Sequence, residues 1–171
     1  MQRLLHAVES PIHSTLFALM YACGLRISEA QKLTIPDINS TNGTLRIIGK
    51  CNKERHVPLP TPTLESLRGL WKTHRHPQLL FPNQMGEQPV ATCVLYRTFK
   101  DAIQKAGLPH TFSPHVLRHS YATRGNLGTV YPFLFQIEKV KMTHGQNRSR
   151  CCSWIATSHH PAWQSEATDL F

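Results

Sequence analysis

Apolar residues recur at Leu16, Leu19, Met20 and Cys23, the i, i+3, i+4, i+7 spacing of one helical face, in a segment that opens with Ser10-Pro11 and closes with Gly24. A serine able to cap, a proline in the first turn and a terminal glycine mark both ends. The spacing predicts a helix with one buried face. After Gly24 the chain restarts with Leu25-Arg26-Ile27-Ser28-Glu29-Ala30-Gln31-Lys32-Leu33, good helix formers stopped by Pro36. Arg26 is therefore expected near the start of a second helix.

The period then changes. Residues 44–50 and 54–59 carry β-branched residues on both arms and read as two strands joined through Cys51-Asn52-Lys53, a hairpin made basic by Arg46, Lys50, Lys53 and Arg55. Helical spacing returns at residues 63–73 (Leu64, Leu67, Leu70, Trp71) and 91–106 (Val94, Leu95, Phe99, Ile103), linked by a short buried extended piece at residues 79–82. Residues 113–123 repeat the serine-proline opening, placing His115 and Arg118 at i, i+3 on one helical face. The pattern predicts an α+β fold, mainly helical, with a small antiparallel sheet. From about Arg124 the periodicity stops: Gly125, Gly128 and Pro132 interrupt it, and no period follows. Two segments are expected, an ordered one over residues 1–124 and a divergent tail over residues 125–171 without an assignable fold.

Charge adds a partner to this picture. The 171 residues hold 19 Lys and Arg against 10 Asp and Glu, and residues 1–128 hold 15 of the basic and 7 of the acidic ones. A polyanion such as a nucleic acid is the expected partner of that part. No apolar run reaches the roughly 18 residues of a membrane span, and the N-terminus does not read as a signal peptide, so a cytoplasmic protein without membrane contact is expected. The five cysteines are odd in number and form no C-x-x-C pair, which predicts reduced thiols. In the tail, His144, Cys151, Cys152, His159 and His160 lack the spaced pairs of a structural zinc site, so no metal is expected there.

Two arginines at helix starts, a lysine at a hairpin tip and a histidine three residues before the second arginine could converge on one phosphate. Guanidinium forks bind phosphate oxygens in pairs, and such a clamp stabilises charge that develops in phosphoryl transfer. Taken singly, each of these residues is better read as a solvated charge or a structural histidine. Their order and surroundings make the difference.

The run Ala22-Cys23-Gly24-Leu25-Arg26-Ile27-Ser28-Glu29-Ala30 resembles the first arginine motif of the tyrosine recombinases, the phage-integrase family. Residues 48–59 resemble that family's lysine-bearing hairpin, and Pro114-His115-Val116-Leu117-Arg118-His119-Ser120-Tyr121-Ala122-Thr123 matches its H-x-L-R-H box. The resemblance covers about residues 1–124 and implies DNA cleavage and rejoining through a 3′-phosphotyrosine. It gives Arg26 and Arg118 the nonbridging oxygens of the scissile phosphate, His115 a hydrogen bond to that phosphate and a part in proton transfer, and Lys50 protonation of the departing 5′ oxygen. Lys53 and Arg55 become contacts to the DNA backbone, and Lys53 is the second choice for the acid. No cofactor and no metal are implied, since the guanidinium pair supplies the positive charge. DNA and other recombinase subunits are the implied partners.

The family continues with a helix, a Gly-His pair about two dozen residues past the second arginine, and the tyrosine about nine later. Here Ala122-Thr123 leads into Arg124-Gly125-Asn126-Leu127-Gly128, the nearest histidine is His144 with its glycine on the wrong side, and no tyrosine follows Tyr131. Tyr131, thirteen residues past Arg118, is read as an ordinary aromatic, and Tyr21, Tyr96 and Tyr121 as packing residues. A reading-frame change or a recombined gene end would explain the abrupt loss of pattern. At the other end, residues 1–5 resemble the opening of the catalytic domain, so the DNA-clamping domain that precedes it in the family is expected to be missing. The sequence thus predicts a truncated, catalytically dead tyrosine-recombinase domain. Its rivals are a non-catalytic DNA-binding module that interferes with an intact recombinase, and type IB topoisomerase-like strand cleavage.

Overall fold

The computed structural model describes residues 2–49 and 53–124, with side chains to Ala122. The expectations for Lys50 and Cys51, and all those for the tail, including Tyr131 and His144, lie outside the described residues. The elements in chain order are α1 (Gln2–Ala7), α2 (Pro11–Cys23), α3 (Ile27–Ala30), a 3-10 turn (Ile35–Asp37), β1 (Ile38–Asn39), β2 (Thr44–Ile48), β3 (Glu54–Pro58), α4 (Thr61–His74), α5 (Thr92–Lys105) and α6 (His115–Arg124).

Helix α2 begins and ends where its punctuation predicts. The Ser10 hydroxyl accepts the His13 N–H at 3.5 Å, and Gly24 closes the helix in the left-handed region at φ 63°, its N–H donating to the Met20 carbonyl. The burial differs from the expectation of one apolar face. Every residue from Leu16 to Leu25 is buried, because α2 is the central helix and packs on α1, α3, α4 and α6. A 3.6-residue period marks a helix with one solvated side, and from Leu16 onward α2 has none. Helix α5 adds the Phe99 ring edge-on to Phe17, with centroids 5.4 Å apart at 74°.

The second helix is shorter than its formers suggest. α3 ends at Ala30, and the Thr34 N–H and hydroxyl both donate to Asp37 Oδ2 (3.0 and 2.6 Å), holding the chain in the turn that feeds β1. β1 is a strand that residue pattern did not predict: its two residues pair antiparallel with β2, Ile38 opposite Leu45. The β2–β3 hairpin is in register from Thr44 opposite Pro58 to Ile48 opposite Glu54, giving a three-stranded sheet ordered β1-β2-β3. Leu45, Ile47 and Val57 face the core. Arg46 faces away, with Nε and Nη2 both on Asp37 Oδ1 (3.1 and 3.0 Å), so this hairpin arginine braces the sheet against the turn.

Candidate functional site

The αL glycine turns the chain sharply between α2 and α3, so Arg26 leaves the central helix at a corner. Glu29 Oε2 accepts the Arg26 backbone N–H at 2.9 Å, the carboxylate half of a capping box. Its other oxygen takes Arg26 Nη1 at 3.0 Å. Strand β3 brings Arg55 to the same carboxylate, with Nη1 on Oε1 at 3.1 Å and Nη2 on Oε2 at 2.8 Å. From the far end of the described chain, α6 brings Arg118 to within 3.9 Å of Glu29 Oε2, while its Nη1 donates to the Gly24 carbonyl at 2.5 Å.

Three guanidinium groups thus surround one carboxylate. Glu29's side chain is only 6% exposed, whereas those of Arg26, Arg55 and Arg118 are 52%, 36% and 38% exposed. Burial pushes the Glu29 carboxyl up, but the Arg55 hydrogen bonds, the Arg26 N–H and guanidinium and the Arg55 charge outweigh it, and its pKa falls to about 2. The acid is ionised at neutral pH, and the cluster carries an excess of positive charge toward solvent. That arrangement attracts an anion with oxygens in several directions, as a phosphate has.

Beside the cluster lies a cleft of about 370 Å³, lined by Cys23, Gly24, Arg55, Pro58, Arg118 and Tyr121 among others. Cys23 is not a nucleophile there: burial pushes its thiol up to about 12, and its Sγ donates to the Pro58 carbonyl at 3.6 Å. The Tyr121 ring lies directly over Gly24, and a Cβ at that glycine would stand 2.5 Å from Tyr121 Cδ1. Helix α6 is therefore seated on the α2–α3 corner by a carbonyl bond and by a ring contact that only glycine admits.

His115 opens α6, one turn before Arg118, and is exposed, with the Tyr96 hydroxyl of α5 3.4 Å from its Nε2. The loop before it is held by Lys100, whose Nζ donates to the carbonyls of His110 (2.6 Å) and Phe112 (2.9 Å). Lys53 is exposed, and its carbonyl accepts the Gly49 N–H at 2.8 Å across the base of the hairpin loop. Lys50 lies outside the described residues. Of the six residues singled out by sequence, Arg26, Arg55 and Arg118 meet at Glu29, His115 shares a helix with Arg118, and Lys53 stands at the loop base. Among the described residues no group of three or more His, Cys, Asp or Glu could hold a metal ion, and no helix is long and apolar enough to cross a membrane.

Sequence reasoning gave Glu29 no role; Tyr96 packs against the core as expected, and its hydroxyl also faces His115. A signal for Glu29 existed: it is the only acidic residue between Glu9 and Asp37 and stands three residues after Arg26, at a capping-box spacing.

The Phage integrase family model matches residues 1–126, and the chain belongs to that family. It is 37% identical over 117 residues to tyrosine recombinase XerD of Staphylococcus saprophyticus, covering 64% of this chain and 39% of the relative. To XerD of Pseudomonas putida it is 38% identical over 112 residues, covering 61% and 37%. The chain thus spans about two fifths of the length of these curated relatives. In fold it is similar to the XerA recombinase (TM-score 0.62, 20% identity, 86% of this chain and 61% of that one). It is also similar to the XerH site-specific recombinase bound to its difH substrate before cleavage (TM-score 0.62, 24% identity, 84% and 51%).

Proposed function

We propose that this chain is the DNA-binding catalytic domain of a site-specific tyrosine recombinase or integrase, with DNA and other recombinase subunits as partners. The observation that carries the reading is the meeting of Arg26 and Arg118 at one buried carboxylate, with a separation of 94 residues between Arg118 and the Gly24 carbonyl that holds it. Arg26 and Arg118 grip the nonbridging oxygens of the scissile phosphate, and His115 hydrogen-bonds the same group. Lys50 delivers a proton to the departing 5′ oxygen, and Lys53 contacts the backbone beside it. A related XerH chain bound to its difH substrate supports DNA as the partner.

The family spacing from Arg118 to the nucleophile falls within the length of this chain, yet no tyrosine follows Tyr131. The clamp is kept and the attacking group is missing from its place, so the domain binds DNA without cutting it. A clamp without its tyrosine also favours a second reading, a non-catalytic DNA-binding module that occupies recombination sites and interferes with an intact recombinase.

Incubation with a nicked suicide DNA substrate, followed by native and by denaturing electrophoresis, tests both. The expected result is a salt-sensitive complex on native gels and no covalent adduct on denaturing ones. An adduct overturns the inactivity, and Phe substitutions at Tyr96, Tyr121 and Tyr131 then identify the attacking residue. Absence of binding even at low salt overturns the DNA reading itself.

A further inference from the structure

The Glu29 carboxylate is saturated. A carboxylate offers about four acceptor sites, and here Oε1 takes Arg26 Nη1 and Arg55 Nη1 while Oε2 takes the Arg26 N–H and Arg55 Nη2. Arg118, the third guanidinium at the cluster, stands 3.9 Å away, outside hydrogen-bonding range, and donates to the Gly24 carbonyl instead. The fork of Arg55 matches the two oxygens at 3.1 and 2.8 Å, so it occupies one site on each. Gly49 stands behind it: a Cβ there would lie 3.4 Å from Arg55 Nη1 and 4.0 Å from Glu29 Oε1.

We propose that Arg55 is a positioning residue that, by filling Glu29, keeps Arg118 off that carboxylate and leaves its guanidinium for the bound anion. The proposal rests on the phosphate-clamp reading above and replaces a direct DNA contact by Arg55 with an action through Glu29. Without Arg55, two charged acceptor sites open beside Arg118, and a movement of about 1 Å brings its Nη1 into hydrogen-bonding range of Oε2. Arg118 then closes onto the acid and competes with phosphate for its own guanidinium. Lysine cannot replace the fork, because a single ammonium does not span both oxygens in this geometry.

The test is a double-mutant cycle of Arg55→Ala and Glu29→Gln, read by DNA affinity at fixed salt and by the ¹⁵N side-chain signals of Arg118 in the free protein. Arg55→Ala should weaken DNA binding about tenfold, the scale of one charge-assisted hydrogen bond. In the Glu29→Gln background it should change affinity less than about twofold. The Arg118 Nε signal should move in Arg55→Ala and return toward its original place in the double variant. An equal loss of affinity in both backgrounds makes Arg55 a direct backbone contact and overturns the proposal, as does an unmoved Arg118 signal in folded Arg55→Ala. Should Arg55→Ala unfold, Arg55→Lys keeps the charge, and its Arg118 signal should shift in the same direction by a smaller amount; an unmoved signal there counts against the proposal. A protein that binds no DNA while its Arg118 signal responds overturns the clamp reading and leaves the Arg55–Glu29 relation standing.

Discussion

Gly24→Ala perturbs the corner between α2 and α3 on which α6 is seated. Two costs add there. The residue sits at φ 63°, and an L-residue with a side chain loses about 1–2 kcal/mol in that region. Its new Cβ would lie 2.5 Å from Tyr121 Cδ1 and 3.0 Å from both Cγ and Cε1, well inside contact distance, so the ring must yield. Overpacking of that kind costs about 1–3 kcal/mol. The expected sum, about 2–5 kcal/mol, is a large share of the roughly 5–15 kcal/mol that stabilises a typical domain. Urea unfolding should show it as a lower midpoint with an unchanged slope. The steric part can be separated, since Tyr121→Ala removes the ring and leaves the backbone cost. In the double variant the alanine at position 24 should then cost only about 1–2 kcal/mol. DNA affinity should fall with Gly24→Ala as well, because the carbonyl that holds Arg118 belongs to the same residue. A cost below about 0.5 kcal/mol, or strict additivity with Tyr121→Ala, refutes the seating of α6 on this glycine.

Acid should unfold the protein partly through Glu29. Its folded pKa of about 2 lies below the ordinary 4.5, so its contribution is complete above about pH 5 and is lost as pH falls toward 2. Glu29→Gln should flatten that limb of the stability curve and cost about 1–2 kcal/mol at neutral pH, after allowance for the solvent around the half-exposed arginines; an unchanged acid limb contradicts this. Phe99→Ala removes the partner of Phe17 and should destabilise by about 3–5 kcal/mol in denaturant titrations, and a loss below about 1 kcal/mol would mean that the ring pair is not part of the core. Lys53→Ala should weaken binding alike on all DNA sequences and make the slope of log K against log salt shallower by about 0.9. A loss confined to one sequence shows instead that Lys53 reads bases.

Local punctuation was the legible part of the fold. Ser10, Pro11 and Gly24 act within a few residues of themselves, so the ends of α2 could be read directly, as could the hairpin from its β-branched arms. What α2 packs against could not, because burial on all sides removes the amphipathic signal. β1 escaped for a related reason: two residues have no period, and their strand exists only because β2 lies beside them. In the candidate site, the arginines and His115 were visible through motif order, whereas their relation to Glu29 was not. Its capping-box spacing points to Arg26 alone, and partners that arrive from positions 55 and 118 leave no spacing rule in the chain. Arg46 shows the converse. It reads as one more basic hairpin residue, yet it is tied to Asp37, and only the register of β2 against the preceding turn reveals it.

The distance along the chain between Glu29 and Arg118 also sets an order of assembly. At roughly 5–20 residues per second, synthesis delivers the α2–α3 corner and the hairpin some seconds before α6. Helices and hairpins form within microseconds. Glu29 can therefore acquire Arg26 and Arg55 on the nascent chain while Arg118 has yet to be made. When α6 docks, it meets an acid whose acceptor sites are taken, and its arginine settles on the Gly24 carbonyl. Ion pairs of partly exposed arginines exchange within nanoseconds, so refolding of the whole chain from denaturant, where all three compete at once, should reach the same pairing as synthesis does.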